Sequence, residues 1–582
     1  MELCLKLNRT LIILLLLVKQ ERGFKFSVVH NNDMHARYDP MKDRNEKCDH
    51  GDDEKGLCFG GFARVATAVA KARAEGPTIY LNAGDTFQGT PWFTIFRGEL
   101  AGQLMNMLNP DAMSLGNHEL DDNVIGLVPF LQMIKFPVVC SNIILKGVPV
   151  LQKMKSLVHS TIITKFEKKI GIIGYLTPVT RKLVSALDIE IHNEIPYINA
   201  EAKKLTDQGV DIIIALGHSG YSMDQDIARS CQDIDLVVGG HSHSFLYTGT
   251  PPEREKPVGN YPTVVTRTNG QQVLVLQAYA YTKYLGKIDL EFDNGGRLIK
   301  YDGSPILLDN TIAHDAAIKA LLDSKRATID ELDTQVVGVS KVVLDGDRLA
   351  CRQTECNFGN FIGDALVYGR VIEDYGGLFW TDAAIALMNS GGIRASIDPG
   401  PDGTVTGVDI ATALPYGNTV SVSRIKGHDL VKALEYSASL RHTDSDGGFL
   451  QVSGLRMVIN YNRPKGKRVT SINALCADCR IPQYEPLERD KYYSVIVPSF
   501  IMNGGDGHTH LKDSIEPELH RLKLIDREIV SKYYQEHKVV YPMLENRITI
   551  IEKKRRSCAP PRSQTSLVPI ALVTFSYLFI HT

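Results

Sequence analysis

The chain has 582 residues, too many for one ordinary hydrophobic core, so two large domains are expected. Hydrophobic residues make up 43%, charged residues 23%, and the formal net charge is -2, the balance of a soluble globular protein. That balance supplies no basic field to hold a nucleic-acid backbone, so selectivity for an anionic substrate has to come from a local site.

Taken in chain order, Lys6 and Arg9 precede an apolar run over 11–18, the order of a secretory signal. The run falls short of the ~20 apolar residues a bilayer span needs. Residues 1–23 are therefore read as a removed signal ending near Gly23, with a buried N-terminal helix or strand as the alternative. Over 24–312, β-branched runs alternate with helical stretches. Strands are predicted at 26–30, 78–81, 170–173, 211–215 and 235–238, and helices at 60–74 and 199–208. Alternation of this kind predicts a layered α/β domain with its chemistry in loops at strand ends. Residues 313–332 are amphipathic, with Ile318, Leu321, Leu322, Ile329 and Leu332 on one face, and read as a connector helix. A second domain, 333–552, carries its own strands and Gly-rich loops. The end, 553–582, combines a basic stem (553–556), the small residues Ser557-Cys558-Ala559, a polar spacer and an apolar tail over 567–580. That is the pattern of a glycolipid anchor whose tail is removed; a short membrane span or a merely hydrophobic tail is the alternative.

Cysteine usage agrees with export. Cys48 with Cys58, Cys351 with Cys356 and Cys476 with Cys479 lie close enough for small local disulfides. Cys476-x-x-Cys479 also admits half a zinc site or a redox pair, although no second half follows. Cys140 and Cys231 sit in apolar contexts and are expected as buried free thiols.

Five short segments concentrate the chemistry. Asp33-Met34-His35 follows the first strand, and Gly84-Asp85 the second. Gly116-Asn117-His118-Glu119 comes with Asp121 close behind; Gly217-His218 and Gly240-His241-Ser242-His243 end two later strands. Singly, each reads as a turn acid or a surface histidine. Together they place Asp, Asn and His just past the ends of strands that point at one edge. Carboxylates and imidazoles combined suit a hard-to-intermediate divalent metal. The set D-x-H, GD, GNH(E/D), GH and GHxH resembles the calcineurin-like metallophosphoesterases. With the second domain, it resembles the 5′-nucleotidase family of ecto-5′-nucleotidases and apyrases over nearly all of 26–513.

The resemblance implies a four-layer α/β metallophosphoesterase domain, a connector helix and a mixed α/β substrate-binding domain. It implies two divalent metal ions, zinc by family habit, with manganese or cobalt also admitted by the ligands. Asp33, His35, Asp85 and His243 would hold one ion, and Asp85, Asn117, His218 and His241 the other, with Asp85 shared. His118 and Asp121 would form a dyad beside the metals, stabilising charge on the phosphoryl group. In the second domain Tyr416 and Phe500 match the aromatic pair that sandwiches a base, and Asp506 the carboxylate that accepts ribose hydroxyls. Arg352, Asn389 and Arg394 match the polar set around the nucleotide. Two departures bear on base preference: Tyr416 stands where phenylalanine is common, and His508 where an aromatic is usual. A further disulfide of vertebrate members has no cysteines here, Gly363 occupying one of its positions.

The expected function is hydrolysis of nucleoside 5′-monophosphates, AMP preferred, outside the cell. An apyrase cutting ATP and ADP is the nearest rival, and a non-catalytic nucleotide or adhesion binder a distant one. The partners implied are a small nucleotide and a membrane reached through a lipid anchor, with no nucleic acid, and a homodimer through the second domain.

Overall fold

The computed structural model describes residues 23–183, 188–293, 295–373, 376–399, 402–443 and 446–553. Residues 1–22 of the expected signal and 554–582 of the expected stem and tail lie outside them. Among the described residues no helix is long and apolar enough to cross a membrane.

The first domain is built on two sheets laid face to face. One has the central order β9-β1-β2-β3-β4, with β1 (Phe24–Asn31), β2 (Thr78–Asn82), β3 (Ala112–Ser114) and β4 (Val138–Val139) parallel, and β9 (Tyr284–Phe292) antiparallel at the side of β1. The other places β5 (Lys168–Leu176), β6 (Ile212–His218), β7 (Leu236–Val238) and β8 (Gln272–Leu276) parallel, in the order β8-β7-β6-β5.

The two-residue period of a strand sorts its side chains between layers. Val28 faces the space between the sheets, packed with Ile79, Ile172 and Ile214. Its neighbour Val29 faces the opposite way, toward α1 (Phe62–Glu75), α2 (Pro91–Leu108) and α3 (Asn123–Met133). Across the second sheet, Ile213 and Ala215 meet α4 (Glu194–Asp207) and α5 (Tyr221–Ser230). The result is four layers, helix–sheet–sheet–helix. Burial on both faces explains why β6 reads as a continuous apolar run rather than an alternating one.

The connector α6 spans Ala316–Asp333, starting later than the apolar pattern because Asp315 serves as its cap, accepting from the N–H groups of Ala317 (3.0 Å) and Ile318 (2.9 Å). Its apolar stripe, Ile318, Leu322 and Ile329, is buried in the helical layer of the first domain.

The second domain has a five-stranded sheet of order β12-β10-β13-β11-β14, formed by β10 (Ile385–Asn389), β11 (Thr419–Lys426), β12 (Leu450–Ser453), β13 (Tyr492–Pro498) and β14 (His520–Ile525). Helices α7 (Asn357–Val371) and α10 (Asp526–His537) cover one face, and α9 (Gly427–Leu440) the other. The short helix α8 (Gly407–Ala413) sends Val408 into the first domain's core beside α6.

Cys48–Cys58, Cys351–Cys356 and Cys476–Cys479 are disulfides, and Cys140 and Cys231 are buried free thiols. The Cys476-x-x-Cys479 pair is therefore a local staple.

Candidate active site

Parallel β1, β2, β3, β6 and β7 bring their C-terminal ends to one edge, and the loops that follow carry the acids and histidines. The loop after β1 zips along the loop after β2. The N–H groups of Asp33, His35 and Ala36 donate to the carbonyls of Gly84, Asp85 and Thr86, each at 2.9 Å. Five of the chemistry-bearing residues adopt left-handed backbone: Asp33 (φ 51°), His35 (48°), Asp85 (56°), His241 (76°) and His243 (51°). Non-glycine residues hold that conformation only where their surroundings over-determine it. The approach of neighbouring chain is close enough that a Cβ at Gly116 would lie 2.1 Å from Asp85 Oδ1.

Three overlapping groups of donor atoms result, each drawn within 4.8 Å: Asp33, His35 and His243 in the first, Asp85, His218 and His241 in the second, and His35, Asp85 and His118 in a third that joins them. In the first, Asp33 Oδ1 is 3.1 Å from His243 Nε2, which is 3.1 Å from His35 Nε2. In the second, Asp85 Oδ2 lies 2.8 Å from His218 Nε2, and 3.8 Å from His35 of the first group. His218 Nδ1–H donates to the Ala83 carbonyl at 2.7 Å, which turns Nε2 inward and fixes the tautomer. His241 Nδ1 stands 2.9 Å from Asn117 Oδ1, and its backbone N–H donates to Asp33 Oδ2 at 2.9 Å.

The charges are those of a cation site. Burial, with Arg394, holds His35 well below the usual histidine range; burial, with Arg348, does the same for His243. Burial and then His218 bring His241 down to about 4. Burial opposes protonation of His218 too, yet Asp85 and Asp33 outweigh it and carry that imidazole up to about 10. Burial would raise Asp85, but His218 and His118 together hold it well below the usual carboxylate range. His243 Nδ1 is buried with no hydrogen-bond partner. Imidazoles and carboxylates converging on one buried floor fit divalent ions.

His118 sits just above this floor. Its N–H donates to Asp85 Oδ1 (2.9 Å), and its Nδ1 pairs with Asp121 Oδ2 at 2.6 Å. Burial opposes its protonation, but Asp121 and Asp85 outweigh burial, and the net shift is upward.

The second domain closes over the same edge. Arg394 Nη2 reaches His35 Nε2 at 2.9 Å, and the Tyr416 ring stacks on His118 with centroids 5.8 Å apart. Asn389 Nδ2–H donates to Asp506 Oδ2 at 2.9 Å. Both domains wall a chamber of about 380 Å³, within the usual range for small-molecule sites. Asp85, Asn117, His118, Asp121, His241 and His243 face Arg352, Asn389, Arg394, Tyr416, Phe500 and Asp506 across it. Asp33, His35 and His218 lie beneath its floor, buried.

His508 does not reach the chamber. It is fully buried, donating from Nε2 to the Gly448 carbonyl at 2.8 Å, with its ring edge-on to Tyr436. The aromatic wall there is Tyr436, whose hydroxyl donates to the Asp506 carbonyl at 2.9 Å.

Other residues that shape the site stand outside the sequence-based set. Glu119 is buried and accepts from four backbone N–H groups: Gly116 (2.6 Å), Asp85 (2.9 Å), Thr86 (2.7 Å) and Phe87 (3.2 Å). Its place in Gly-Asn-His-Glu is the signal that would have found it. Tyr281 packs against His35 and His243 (centroids 5.6 and 5.1 Å) and donates its N–H to the Asp33 carbonyl at 2.8 Å. Asn418 lines the chamber beside Tyr416, its amide donating to Asp526 Oδ2 at 3.1 Å.

A two-sheet scaffold with paired acid–imidazole clusters at its strand ends, capped by a second α/β domain, defines a metal-dependent phosphoesterase. The family comparisons agree: residues 26–245 match the calcineurin-like phosphoesterases, and 336–513 the 5′-nucleotidase C-terminal domain. The chain is 42% identical over 530 residues to the 5′-nucleotidase of Mus musculus, covering 90% of each. To that of Homo sapiens it is 41% identical over 532 residues, covering 90% of this chain and 91% of the relative. The crystal structure of a 5′-nucleotidase precursor from Thermus thermophilus superposes with a TM-score of 0.81 at 34% identity, covering 91% of this chain and all of the other. The chain belongs to the 5′-nucleotidase family.

Proposed function

We propose that the protein hydrolyses nucleoside 5′-monophosphates, AMP foremost, to nucleoside and phosphate, outside the cell. The observation that carries this reading is the shared chamber, with a metal-type donor floor on one wall and an aromatic, carboxylate and guanidinium set on the other. Asp33, His35, Asp85 and His243 would hold one divalent ion, and Asp85, Asn117, His218 and His241 the second; zinc suits this donor set, and manganese or cobalt is compatible with it. When bound, such ions supply an activated water and Lewis-acid stabilisation of the phosphoryl oxygens.

The chain's own residues do the rest. Tyr416 and Phe500 take the base between their rings, and Asp506, oriented by Asn389, accepts the ribose hydroxyls. Arg352 and Arg394 grip phosphate oxygens, for which a guanidinium fork is matched. His118, whose cation Asp121 and Asp85 favour, stabilises negative charge on the phosphoryl group and, in its protonated form, delivers a proton to the departing 5′ oxygen. The Tyr416–His118 stack implies that the domains part to admit substrate, with the hinge near α6. A glycolipid anchor at the C-terminal end and a homodimer through the second domain complete the proposal. The relatives include a snake venom 5′-nucleotidase of Naja atra, 40% identical over 531 residues and covering 90% of this chain and 98% of that one, which supports an extracellular setting.

Phosphate release from AMP, ADP and ATP by the purified protein with added zinc tests the proposal. Release from AMP alone is expected. Release from ADP and ATP with AMP left intact would make the protein an apyrase. No release from any of the three, with metals bound, would leave a nucleotide binder.

A further inference from the structure

A second cavity, of about 480 Å³, shares no wall residue with the active chamber. It lies where the Cys48–Cys58 loop, the start of α2, the connector α6 and α8 of the second domain come together. Its apolar surface comes from Met41, Trp92, Leu322 and Val408. Of its four lysine and arginine side chains, three are matched with carboxylates, Lys47 with Asp333, Arg326 with Asp39 and Lys319 with Asp323, each at 2.6 Å, and the fourth, Arg37, is buried and donates to the Arg394 carbonyl at 3.2 Å. The carboxylates outnumber them, and one is unlike the rest. Glu46 is only 5% exposed, lines the cavity, and accepts hydrogen bonds from backbone N–H groups alone, that of Arg44 at 2.9 Å. No lysine or arginine among the described residues pairs with it. Burial, with Asp43 and Asp398 adding repulsion, pushes its carboxyl up to about 7.

A carboxylate buried without a counter-ion is costly, and either takes up a proton or meets a cation. Here it borders an apolar hollow large enough for a small molecule. We propose that this cavity is a second ligand site, taking a small amphipathic amine whose ammonium group pairs with Glu46 while its hydrocarbon body lies against Trp92 and Leu322. Because the wall combines both domains and the helix between them, the site exists only in the domain arrangement seen here.

Calorimetric titration of the zinc-loaded full chain with tryptamine, and with its neutral counterpart tryptophol, tests this. Tryptamine is expected to bind at least about tenfold tighter than tryptophol, and Glu46→Gln to remove that preference while hydrolysing AMP as the wild type does. Equal binding of the two compounds, tryptamine binding unchanged in Glu46→Gln, or no tryptamine binding up to about 10 mM would overturn the proposal. If Glu46→Gln fails to fold, the comparison of the two compounds on the wild type decides alone.

Discussion

Replacing Glu119 by glutamine changes one atom and should unsettle the whole metal floor. One carboxylate oxygen accepts from Thr86 and Phe87, the other from Asp85 and Gly116, so all four bonds run from backbone N–H to carboxylate. Burial and Asp85 push this carboxyl up, to about 7, but four facing donors leave no acceptor for a carboxylic O–H, and the bonds are built for the anion. In glutamine an NH2 group replaces one oxygen, leaving two buried N–H groups without an acceptor and facing another donor. At roughly 1–3 kcal/mol for each orphaned donor, the substitution should cost about 4 kcal/mol, a large share of an ordinary domain's stability. Asp85 is among the residues released, so metal affinity should fall about 10–100-fold, as when a ligand loses its outer support. Urea unfolding of the metal-stripped proteins gives the first quantity and zinc titration the second. A variant within about 0.5 kcal/mol of wild type and with unchanged zinc affinity would refute the idea that Glu119 holds the Asp85 loop in place.

Three further outcomes follow from the same geometry. His118→Ala should lower kcat for AMP by about 10²–10⁴ with a much smaller change in KM, measured by steady-state phosphate release, because the imidazole acts on charge that develops during the reaction. Chelation should lower the unfolding temperature and zinc restore it, the stabilisation amounting to about 2.7 kcal/mol for each site held at 100 times its Kd. Asp526, buried beneath the Tyr416 loop, has its carboxyl pushed by burial from 3.8 up to about 6. The folded state therefore holds that proton more tightly than the unfolded chain. This contribution is full below about pH 4 and is lost as pH rises through 6, about 3 kcal/mol in all. Relative to wild type, Asp526→Asn should gain stability across that window in unfolding curves taken at successive pH values, and parallel curves would contradict the assignment.

Much of the first domain is legible because parallel strands buried on both faces leave continuous β-branched runs, and four of the five runs, all but 170–173, lead into residues of chemical interest. What local pattern misses is extent and company. β5 reaches Leu176, past the apolar run over 170–173, because Gly174, Tyr175 and Leu176 pair with Leu216, Gly217 and His218. That pairing is tertiary and leaves no mark in the local sequence. Tyr281 enters the site from a stretch in which Tyr279, Tyr281 and Thr282 all have positive φ, and nothing in Tyr-Ala-Tyr-Thr announces it. His508 stands beside a recognisable Gly-Asp-Gly turn, yet the left-handed Asp506 (φ 51°) and Gly507 precede it, and its side chain lies buried behind Tyr436. Motif position located the loop but not the direction of each side chain.

The left-handed conformations at Asp33, His35, Asp85, His241 and His243 set usefulness against durability. Each costs roughly 1–3 kcal/mol that a glycine would not incur, and each is occupied instead by a side chain the chemistry needs. Selection for a sturdier fold alone would replace these residues first, and a lineage released from the need to bind metal would gain stability by losing them. Their joint presence in one chain is therefore a record of continuous use.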